Sequence, residues 1–306
     1  MCQALGEGQE TVPLLRRQKT LLALLAAAKG PVSRTALVKY AFLLRHETCL
    51  RGDPVFYDFV PYKFGPFSFS MYRELECLQR DGWLTMGEEG APVCLTQAAR
   101  ISRPSAWVSN EEMAAIGHVL GKYERLSRRE LLSSVYGRYP WYASKSELAD
   151  LQCTPPAPLP QASPAVYTVG YESLSVDSFF KRLLRKGIRA IADVRSNPVS
   201  RKYGFARKSL GEISAKLGLR YHHLPELGIP PDERRTLDGP ESYVRLLDSY
   251  EAHNLPRLGT EILRLGRLLE AQPCVIMCAE KDFRMCHRGR LATAVSGITG
   301  LPIVHL

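Results

Sequence analysis

Residues 165–198, AVYTVGYESLSVDSFFKRLLRKGIRAIADVRSNP, contain the pattern that decides the fold of the C-terminal half. The run AVYTVGY is rich in β-forming residues and predicts a strand. The run SVDSFFKRLLRKG has the spacing of an amphipathic helix, with Ser175 as its N-cap and Gly187 as its stop signal. The run IRAIADVRS predicts a second strand. A strand, a helix and a strand in this order favour a parallel βαβ unit.

The same alternation of strand and helix patterns continues to Leu306. Among the later strands, PCVIMCAE is the most apolar, and we expect it in the middle of the sheet. The pattern predicts an α/β class fold over residues 165–306, a Rossmann-like and mostly parallel sheet with helices on both faces. The further helices predicted are KSLGEISAKLG, GPESYVRLLDSYEAHN, GTEILRLGRLLEAQ and CHRGRLATAVSGITG, and the further strands are LRYHHLPELG and LPIVHL.

Residues 1–152 have a different pattern, which is helical with one hairpin. Three helical segments precede WLTMGEEGAPVCLT, which alternates around a Gly-Glu-Glu-Gly turn and predicts a β-hairpin. This order predicts a mainly α, winged-helix-like domain that binds DNA or a protein partner. The proline-rich run CTPPAPLPQASP, residues 153–164, predicts a linker between the two domains. The three helical segments are VPLLRRQKTLLALLAAAKG, SRTALVKYAFLLRHE and FSFSMYRELECLQRDG.

The composition limits the classes of protein and partner. The 306 residues include 41 Lys and Arg against 31 Asp and Glu, a formal net charge of +10, which predicts an anionic partner, with DNA ahead of RNA. The eight cysteines follow no small-domain disulfide spacing, which indicates a reducing, cytoplasmic environment. The run LLALLAAA, residues 21–28, is too short to cross a bilayer, so we expect a core helix and no membrane association.

Polar residues follow each strand predicted in the C-terminal half. In open α/β sheets the loops at the carboxyl ends of the strands converge and bind ligands. We therefore expect these residues to share one site. They are Tyr171 after the first strand, Asp193 and Arg195 after the second, His223 and Glu226 after the third, and Cys278 and Glu280 after the fourth.

Three carboxylates at this edge are the candidate catalytic residues: Asp193, Glu280 and Glu226. Two of them beside one substrate would supply an acid and a base, or would stabilise an oxocarbenium-like charge. The alternative is that the carboxylates orient neighbouring arginines.

Cationic side chains predict an anion site beside the carboxylates. Arg288 and Arg290 stand at a predicted helix start, where backbone N–H groups and the helix dipole favour phosphate, and Arg195 points to the same edge. In the loop RSNPVSRKYGFARKS, residues 195–209, Arg201, Lys202 and Tyr203 suit a nucleic-acid backbone and base stacking. Salt bridges within the chain and a solvated basic loop are the alternatives.

Cys278, Cys286 and His287 permit either a metal site or a reactive thiol. They offer three zinc ligands where four are usual, and neighbouring side chains such as those of Cys286 and His287 tend to diverge. The sequence therefore predicts no metal and no other cofactor, with zinc or Mg²⁺ as the alternative. A thiol at a helix start can be reactive, although buried cysteines more often pack as small apolar groups. His223 and Tyr171 are expected to support the site.

Three blocks in the C-terminal half carry a resemblance to a known family: DVRSNPVS, HLPELG and CAEKDFRMCHR. In this order and spacing, residues 165–306 resemble the family called "domain of unknown function" number 488. The resemblance implies a Rossmann-like domain with a polar site and links to nucleic acid or nucleotides. One departure is Tyr171, which stands where the family often has histidine, so a role of that histidine is not carried over.

The N-terminal half is similar to a second family. The runs YDFVPYKFGPFSFSMYRELECLQRDGWL and VYGRYPWYASKSEL resemble the SocA-like "Panacea" family over roughly residues 12–150. This resemblance implies a helical, winged-helix-like module of the kind met in toxin–antitoxin and phage-defence systems. The role it implies is interaction rather than catalysis.

Together these features predict a nucleic-acid-directed protein, a DNA-processing hydrolase that cleaves an N-glycosidic or phosphodiester bond. Modified DNA and phage defence are the expected substrate and setting. One alternative is a non-enzymatic sensor or regulator that binds DNA through the same crevice. Another is a thiol- or metal-dependent enzyme that processes nucleotides. The sequence leaves the oligomeric state open.

Overall fold

The computed structural model describes residues 13–88, 91–148, 150, 159–234 and 238–306, and it divides the chain into two compact units. The first comprises the described residues up to Tyr57 together with Met71–Arg138, and the second comprises Asp58–Ser70 and the described residues from Tyr139 onward. Residues 153–158 of the predicted linker lie outside the described residues, and residues 159–164 form neither helix nor strand.

The first unit has the element order of a winged helix-turn-helix. A three-stranded antiparallel sheet accompanies the first three helices, and its strands lie in the order β1 (Val32–Ser33), β5 (Pro92–Leu95) and β4 (Leu84–Met86). The helices and the hairpin predicted for this half are therefore present, although Glu89 and Gly90 of the predicted turn lie outside the described residues. The elements are α1 (Arg16–Ala27), β1 (Val32–Ser33), α2 (Arg34–Glu47), α3 (Phe69–Arg80, in this unit from Met71), β4 (Leu84–Met86), β5 (Pro92–Leu95), α4 (Gln97–Ile101), α5 (Asn110–Tyr123) and α6 (Arg128–Arg138).

The apolar run at residues 21–28 lies in α1 and at its end, and Leu21–Leu25 of this helix are buried in the core. Ser33 caps α2 as its sequence position predicts, because its hydroxyl accepts a hydrogen bond of 3.2 Å from the Ala36 N–H. Across the described part of the chain, every helix is too short or too polar to cross a bilayer.

The second unit is built on a five-stranded parallel sheet, which confirms the predicted α/β fold. Its strands lie in the order β10 (Ile303–His305), β6 (Val166–Gly170), β9 (Cys274–Cys278), β7 (Ala190–Asp193) and β8 (Arg220–His223). The apolar strand of the sequence pattern, β9, is therefore central, and it is completely buried. The elements of this unit are β2 (Val60–Tyr62), β3 (Gly65–Phe67), α7 (Pro140–Ala143), β6 (Val166–Gly170), α8 (Val176–Lys186), β7 (Ala190–Asp193), α9 (Arg207–Lys216), β8 (Arg220–His223), α10 (Pro240–Ser249), α11 (Gly259–Ala271), β9 (Cys274–Cys278), α12 (His287–Thr299) and β10 (Ile303–His305).

The sheet separates two apolar clusters. Val275 and Met277 of β9 belong to the cluster that includes residues of α8 and α9, whereas Cys274, Ile276 and Cys278 belong to the cluster that includes residues of α11 and α12. Such alternation follows from the two-residue period of a strand. Burial on both faces explains why β9 has no polar side chain.

Local capping fixes the ends of α8 as predicted. The Ser175 hydroxyl accepts a hydrogen bond of 3.0 Å from the Ser178 N–H. Gly187 ends the helix with φ at +84°, a left-handed conformation that glycine adopts without strain. These caps place β7 so that it can return to the sheet beside β9.

Asp177 of α8 is completely buried and fixes the chain that follows β3. Its carboxylate accepts hydrogen bonds from the N–H groups of Phe69 and Ser70, at 2.7 and 3.0 Å, and from the Ser68 hydroxyl at 3.0 Å. Burial disfavours the charged form and outweighs these hydrogen bonds, which raises the pKa of Asp177 to about 6. The group therefore takes up a proton more readily in the folded chain than in the unfolded chain.

This difference predicts a pH-dependent stability. Since the folded pKa of Asp177 lies above its ordinary value of 3.8, its contribution to the free energy of unfolding is complete below that value and is lost as pH rises through about 6. Between pH 4.5 and 7 the wild type should lose about 2 kcal/mol relative to Asp177→Asn, which does not titrate. Urea unfolding at both pH values measures the difference. An equal change in both proteins would contradict the prediction.

Candidate functional site

A cleft of about 290 Å³ opens at the carboxyl edge of the parallel sheet. It follows the ends of β6, β7 and β9, which lie side by side in the sheet. The residues that line it come from the predicted strand ends and from the loops beyond them: Tyr171, Arg195, Ser196, Asn197, Val199, Pro231, Cys278 and Ala279. Tyr171, Arg195 and Cys278, which follow three different strands, thus lie at one cleft.

Asp193 and Arg195 form a buried ion pair behind the cleft. Arg195 Nε and Nη2 donate to the two oxygens of Asp193 at 2.8 and 2.6 Å. Tyr221 Oη of β8 donates to the same carboxylate at 2.6 Å. Burial opposes the charge of Arg195, but the hydrogen bonds and charge of Asp193 outweigh it and raise the pKa of the guanidinium. Asp193 therefore holds Arg195 and does not itself line the cleft.

Arg195 also fixes the aromatic wall of the cleft. Its Nη1 donates to Tyr171 Oη at 3.0 Å, and its Nη2 donates to the Phe205 carbonyl oxygen at 2.9 Å. The rings of Tyr171 and Phe205 stack with centroids 4.2 Å apart. A guanidinium has five N–H bonds, and these acceptors account for four of them. Arg195 is also one of the residues that line the cleft, with 6% of its side chain exposed.

The third strand contributes less than its sequence suggests. His223 lies behind Arg195, where its Nε2 is 2.9 Å from the Arg195 carbonyl oxygen. Glu226 lies in a 3-10 turn after β8, and its side chain is exposed. Glu226 is thus separate from the residues that line the cleft, although the sequence groups it with Asp193 and Glu280.

Glu280 lies among two thiols and a tyrosine. Its Oε2 is 3.1 Å from Cys278 Sγ and 3.0 Å from Cys286 Sγ, and its Oε1 is 3.3 Å from Tyr243 Oη. Burial favours the neutral acid, but hydrogen bonds from Cys286, from its own backbone N–H and from Cys278 together lower the pKa of Glu280. The carboxylate is therefore held in its ionised form next to Cys278, and Glu280 itself is not among the residues that line the cleft.

The two thiols and His287 are buried together. Cys278, Cys286 and His287 are each about 1% exposed, and Cys278 alone of the three lines the cleft. Burial raises the pKa of Cys286 well above its ordinary range, and the hydrogen bond with Cys278 adds to this effect. The protonated thiol of Cys286 is therefore unsuited to act as a free nucleophile.

The arginines at the start of α12 are engaged within the chain. Arg288, 2% exposed, donates to the carbonyl oxygens of Glu280 and Lys281 at 2.6 and 3.0 Å. Arg290 forms ion pairs with Asp248 at 2.8 Å and with Glu251 at 3.2 Å. Arg288 thus fixes the loop after β9, and Arg290 fastens α12 to the segment at residues 248–251.

The predicted basic loop lies beside the cleft. Lys202 Nζ donates to the carbonyl oxygens of Tyr171 and Glu172 at 3.2 and 2.5 Å. The side chains of Arg201 and Tyr203 are exposed, Tyr203 by 43%. Lys202 therefore anchors the loop to the end of β6, and Arg201 and Tyr203 face solvent.

Three tyrosines at the site were not predicted from the sequence. Tyr221 bonds Asp193, Tyr243 bonds Glu280, and the ring of Tyr250 packs edge-on against His287 at 5.5 Å. A tyrosine in a strand or helix pattern indicates packing, and only its tertiary neighbours reveal a second role. The sequence therefore carries no separate signal for them.

Most of the second unit matches the model of one protein family. The model of the family described as "Domain of unknown function DUF488" matches residues 175–295, from the start of α8 into α12. The match supports the resemblance predicted for the C-terminal half, and it includes the ion pair and the thiol cluster. Neither the curated proteins nor the solved structures contain a match to the chain.

Proposed function

We propose that the C-terminal unit is a hydrolase that acts on nucleic acid, with DNA as the first substrate, and that it holds one nucleotide in the cleft. The observation that carries the proposal is the Arg195 guanidinium, fixed by Asp193 in the wall of a cleft at the carboxyl edge of a parallel sheet. A guanidinium whose orientation is fixed in this way is suited to bind a phosphate or the polar edge of a base.

The dimensions of the cleft support a small ligand. About 290 Å³ is at the lower end of the volumes of ligand sites and suits a base or a single nucleotide. A longer strand would have to place one nucleotide in the cleft and leave its neighbours outside, as enzymes that flip bases do. Arg201 and Tyr203 are the candidates for contacts with the neighbouring backbone and bases.

Glu280 is the proposed general base, because its Oε2 lies 3.1 Å from the sulfur of Cys278, a residue that lines the cleft. In hydrolysis of an N-glycosidic bond, the oxygen of water would bond to the sugar C1′ while the C1′–N bond breaks. Glu280 would take the proton from water, and the base would leave with the electron pair and take up a proton from solvent. Asp193 positions Arg195, because both of its carboxylate oxygens accept hydrogen bonds from that guanidinium.

The test is incubation of the full chain with DNAs that include modified-base DNAs, with and without Mg²⁺, followed by assays for cleaved strand and for released base. Glu280→Gln should lower the rate by about 100-fold or more and leave DNA affinity unchanged. The matched control is Glu270→Gln in α11, an exposed acid outside the site, which should behave as wild type.

Two results would contradict the proposal in different ways. Binding of DNA by the wild type without any product would identify a non-enzymatic DNA-binding sensor, the alternative that uses the same cleft. A lack of binding at low salt, where phosphate contacts are strongest, would reject nucleic acid as the ligand.

For the first unit we propose a docking role with a protein partner, consistent with the resemblance of residues 12–150 to the "Panacea" family and with a setting in phage defence. The charges on the exposed side of α3 are balanced, since Arg73 pairs with Glu76 and Arg80 pairs with Asp81. A helix that enters the DNA major groove normally carries excess positive charge. We therefore assign nucleic-acid contact to the C-terminal unit.

A further inference from the structure

Three potential metal ligands meet at the end of β9, and the carboxylate of Glu280 lies beside two of them. The ligand atoms of Cys278, Cys286 and His287 all lie within 4.8 Å of one another, and the three residues are buried. Glu280 Oε2 is 3.1 Å from the first sulfur and 3.0 Å from the second. We propose that this cluster binds a divalent transition-metal ion, zinc first, through Cys278 Sγ, Cys286 Sγ, His287 Nδ1 and Glu280 Oε2.

The state of His287 supports this assignment. His287 Nε2 is 3.1 Å from the Val194 carbonyl oxygen, and because a carbonyl oxygen can only accept, Nε2 carries the hydrogen. Nδ1 is then left with a lone pair, and it lies 3.9 Å from Cys278 Sγ. Histidine ligands of metals usually donate their other ring N–H to a carbonyl or carboxylate in this way.

The backbone explains how two neighbouring residues reach one centre. Cys286 is the extended N-cap of α12, with φ at −150° and ψ at 135°, whereas His287 is the first residue of the helix. The change of backbone conformation between them turns both side chains toward Cys278. The divergence expected from adjacency in the sequence, which argued against a metal, therefore does not occur at this position.

The donors select the kind of metal. Two sulfurs and an imidazole favour zinc and other borderline-soft ions over Mg²⁺ or Ca²⁺, which prefer oxygen. For tetrahedral zinc, the bond lengths place ligand atoms about 3.5–3.8 Å apart. Three of the separations between these atoms, 3.0, 3.1 and 3.9 Å, lie on both sides of this range, and the atoms of Cys278, Cys286 and His287 are all within 4.8 Å of one another, so the side chains would have to move by about 1 Å to reach ideal geometry.

Binding requires the two thiols to give up their protons to solvent as the metal–sulfur bonds form, so affinity should rise with pH. Because Cys278 lines the cleft, an ion has a path to the site. Glu280 would bind through Oε2, and its Oε1 would keep its contact with Tyr243 Oη at 3.3 Å. The metal proposal itself does not depend on nucleic acid, since metal content and DNA binding are separate measurements.

The test is elemental analysis of the full chain after loading with Zn²⁺ and dialysis. The wild type should retain about one ion per chain, whereas Cys278→Ala and Cys286→Ala should each retain less than about a tenth of an ion. Cys274→Ala is the matched control, because Cys274 is a buried cysteine of the same strand outside the cluster, and this variant should retain zinc as the wild type does.

A measurement on the wild type keeps the test decisive if the variants fail to fold. Loading with Co²⁺ should produce thiolate-to-cobalt charge-transfer absorption, which does not require any variant to fold. Absence of retained zinc and of the cobalt absorption in wild type would overturn the proposal, as would full retention of zinc by folded Cys278→Ala and Cys286→Ala.

Discussion

Replacement of Asp193 by alanine should lower the free energy of unfolding of the C-terminal unit by about 3–5 kcal/mol. Asp193 is completely buried, and its two oxygens are bonded to Arg195 Nε, Arg195 Nη2 and Tyr221 Oη. The variant would leave the guanidinium charge of Arg195 in the interior without a partner. Such an uncompensated charge costs far more than the loss of the pair itself.

The chain supplies a matched control for this variant. Asp282 and Arg284 form an ion pair of 2.9 Å with the same spacing in the sequence, but the pair is exposed. Because water solvates each partner when the other is removed, Asp282→Ala should cost no more than about 1 kcal/mol, the loss of the hydrogen bond that its carboxylate accepts from the Arg284 N–H. Urea unfolding, with amide hydrogen exchange of β7 as a local probe, measures both variants. Equal losses in the two variants would show that burial of the Asp193 pair has no special cost.

A double variant distinguishes the effect of the ion pair on stability from its effect on ligand binding. Asp193→Ala combined with Arg195→Met removes both charges, so it should be more stable than Asp193→Ala alone. The same double variant should still fail to bind the ligand of the cleft, because the N–H groups of Arg195 are absent. If the double variant is no more stable than the single one, the destabilisation does not come from the unpaired guanidinium.

Patterns within one element were predictable from the sequence. The apolar run at Cys274–Cys278 indicated a strand buried on both faces, and the structure places it in the centre of the sheet. Ser175 and Gly187 marked the ends of α8 because capping depends on neighbouring backbone groups. Each of these features is determined by a few consecutive residues.

Contacts between distant segments were not predictable in this way. The sequence pattern assigns residues 58–70 to the helical N-terminal half, yet they belong to the second unit. There Asp177, more than 100 positions away in the sequence, accepts hydrogen bonds from the N–H groups of Phe69 and Ser70.

Arg288 has the sequence context of a phosphate ligand. Its bonds to the carbonyl oxygens of Glu280 and Lys281 depend on how the loop after β9 folds back.

The candidate site was also predictable only in part. The sequence placed Tyr171, Arg195, Cys278 and Glu280 at one edge of the sheet, because strand ends in a parallel sheet share an edge. The choice between a catalytic acid and an arginine partner stayed open for Asp193. It requires the side-chain directions around Arg195, which periodicity does not contain.

Gly170, the last residue of β6, should not tolerate alanine. A Cβ at this position would lie 1.8 Å from the Glu280 carbonyl oxygen and 3.0 Å from Arg288 Nη2. The nearest atom belongs to the backbone, so the loop after β9 would have to move. Crowding of this kind should lower the free energy of unfolding by about 3 kcal/mol.

The displacement should also reach the site, because the Glu280 peptide carries the carboxylate that contacts Cys278 and Cys286. Gly170→Ala should therefore weaken both ligand binding in the cleft and retention of zinc. Gly297→Ala is the control, since this glycine of α12 is exposed and a Cβ there meets no atom within 4 Å. As alanine favours the helix, this variant should gain about 0.5–1 kcal/mol. Urea unfolding of both variants tests the contrast, and a loss in Gly170→Ala no larger than the change in Gly297→Ala would mean that the loop after β9 moves aside without cost.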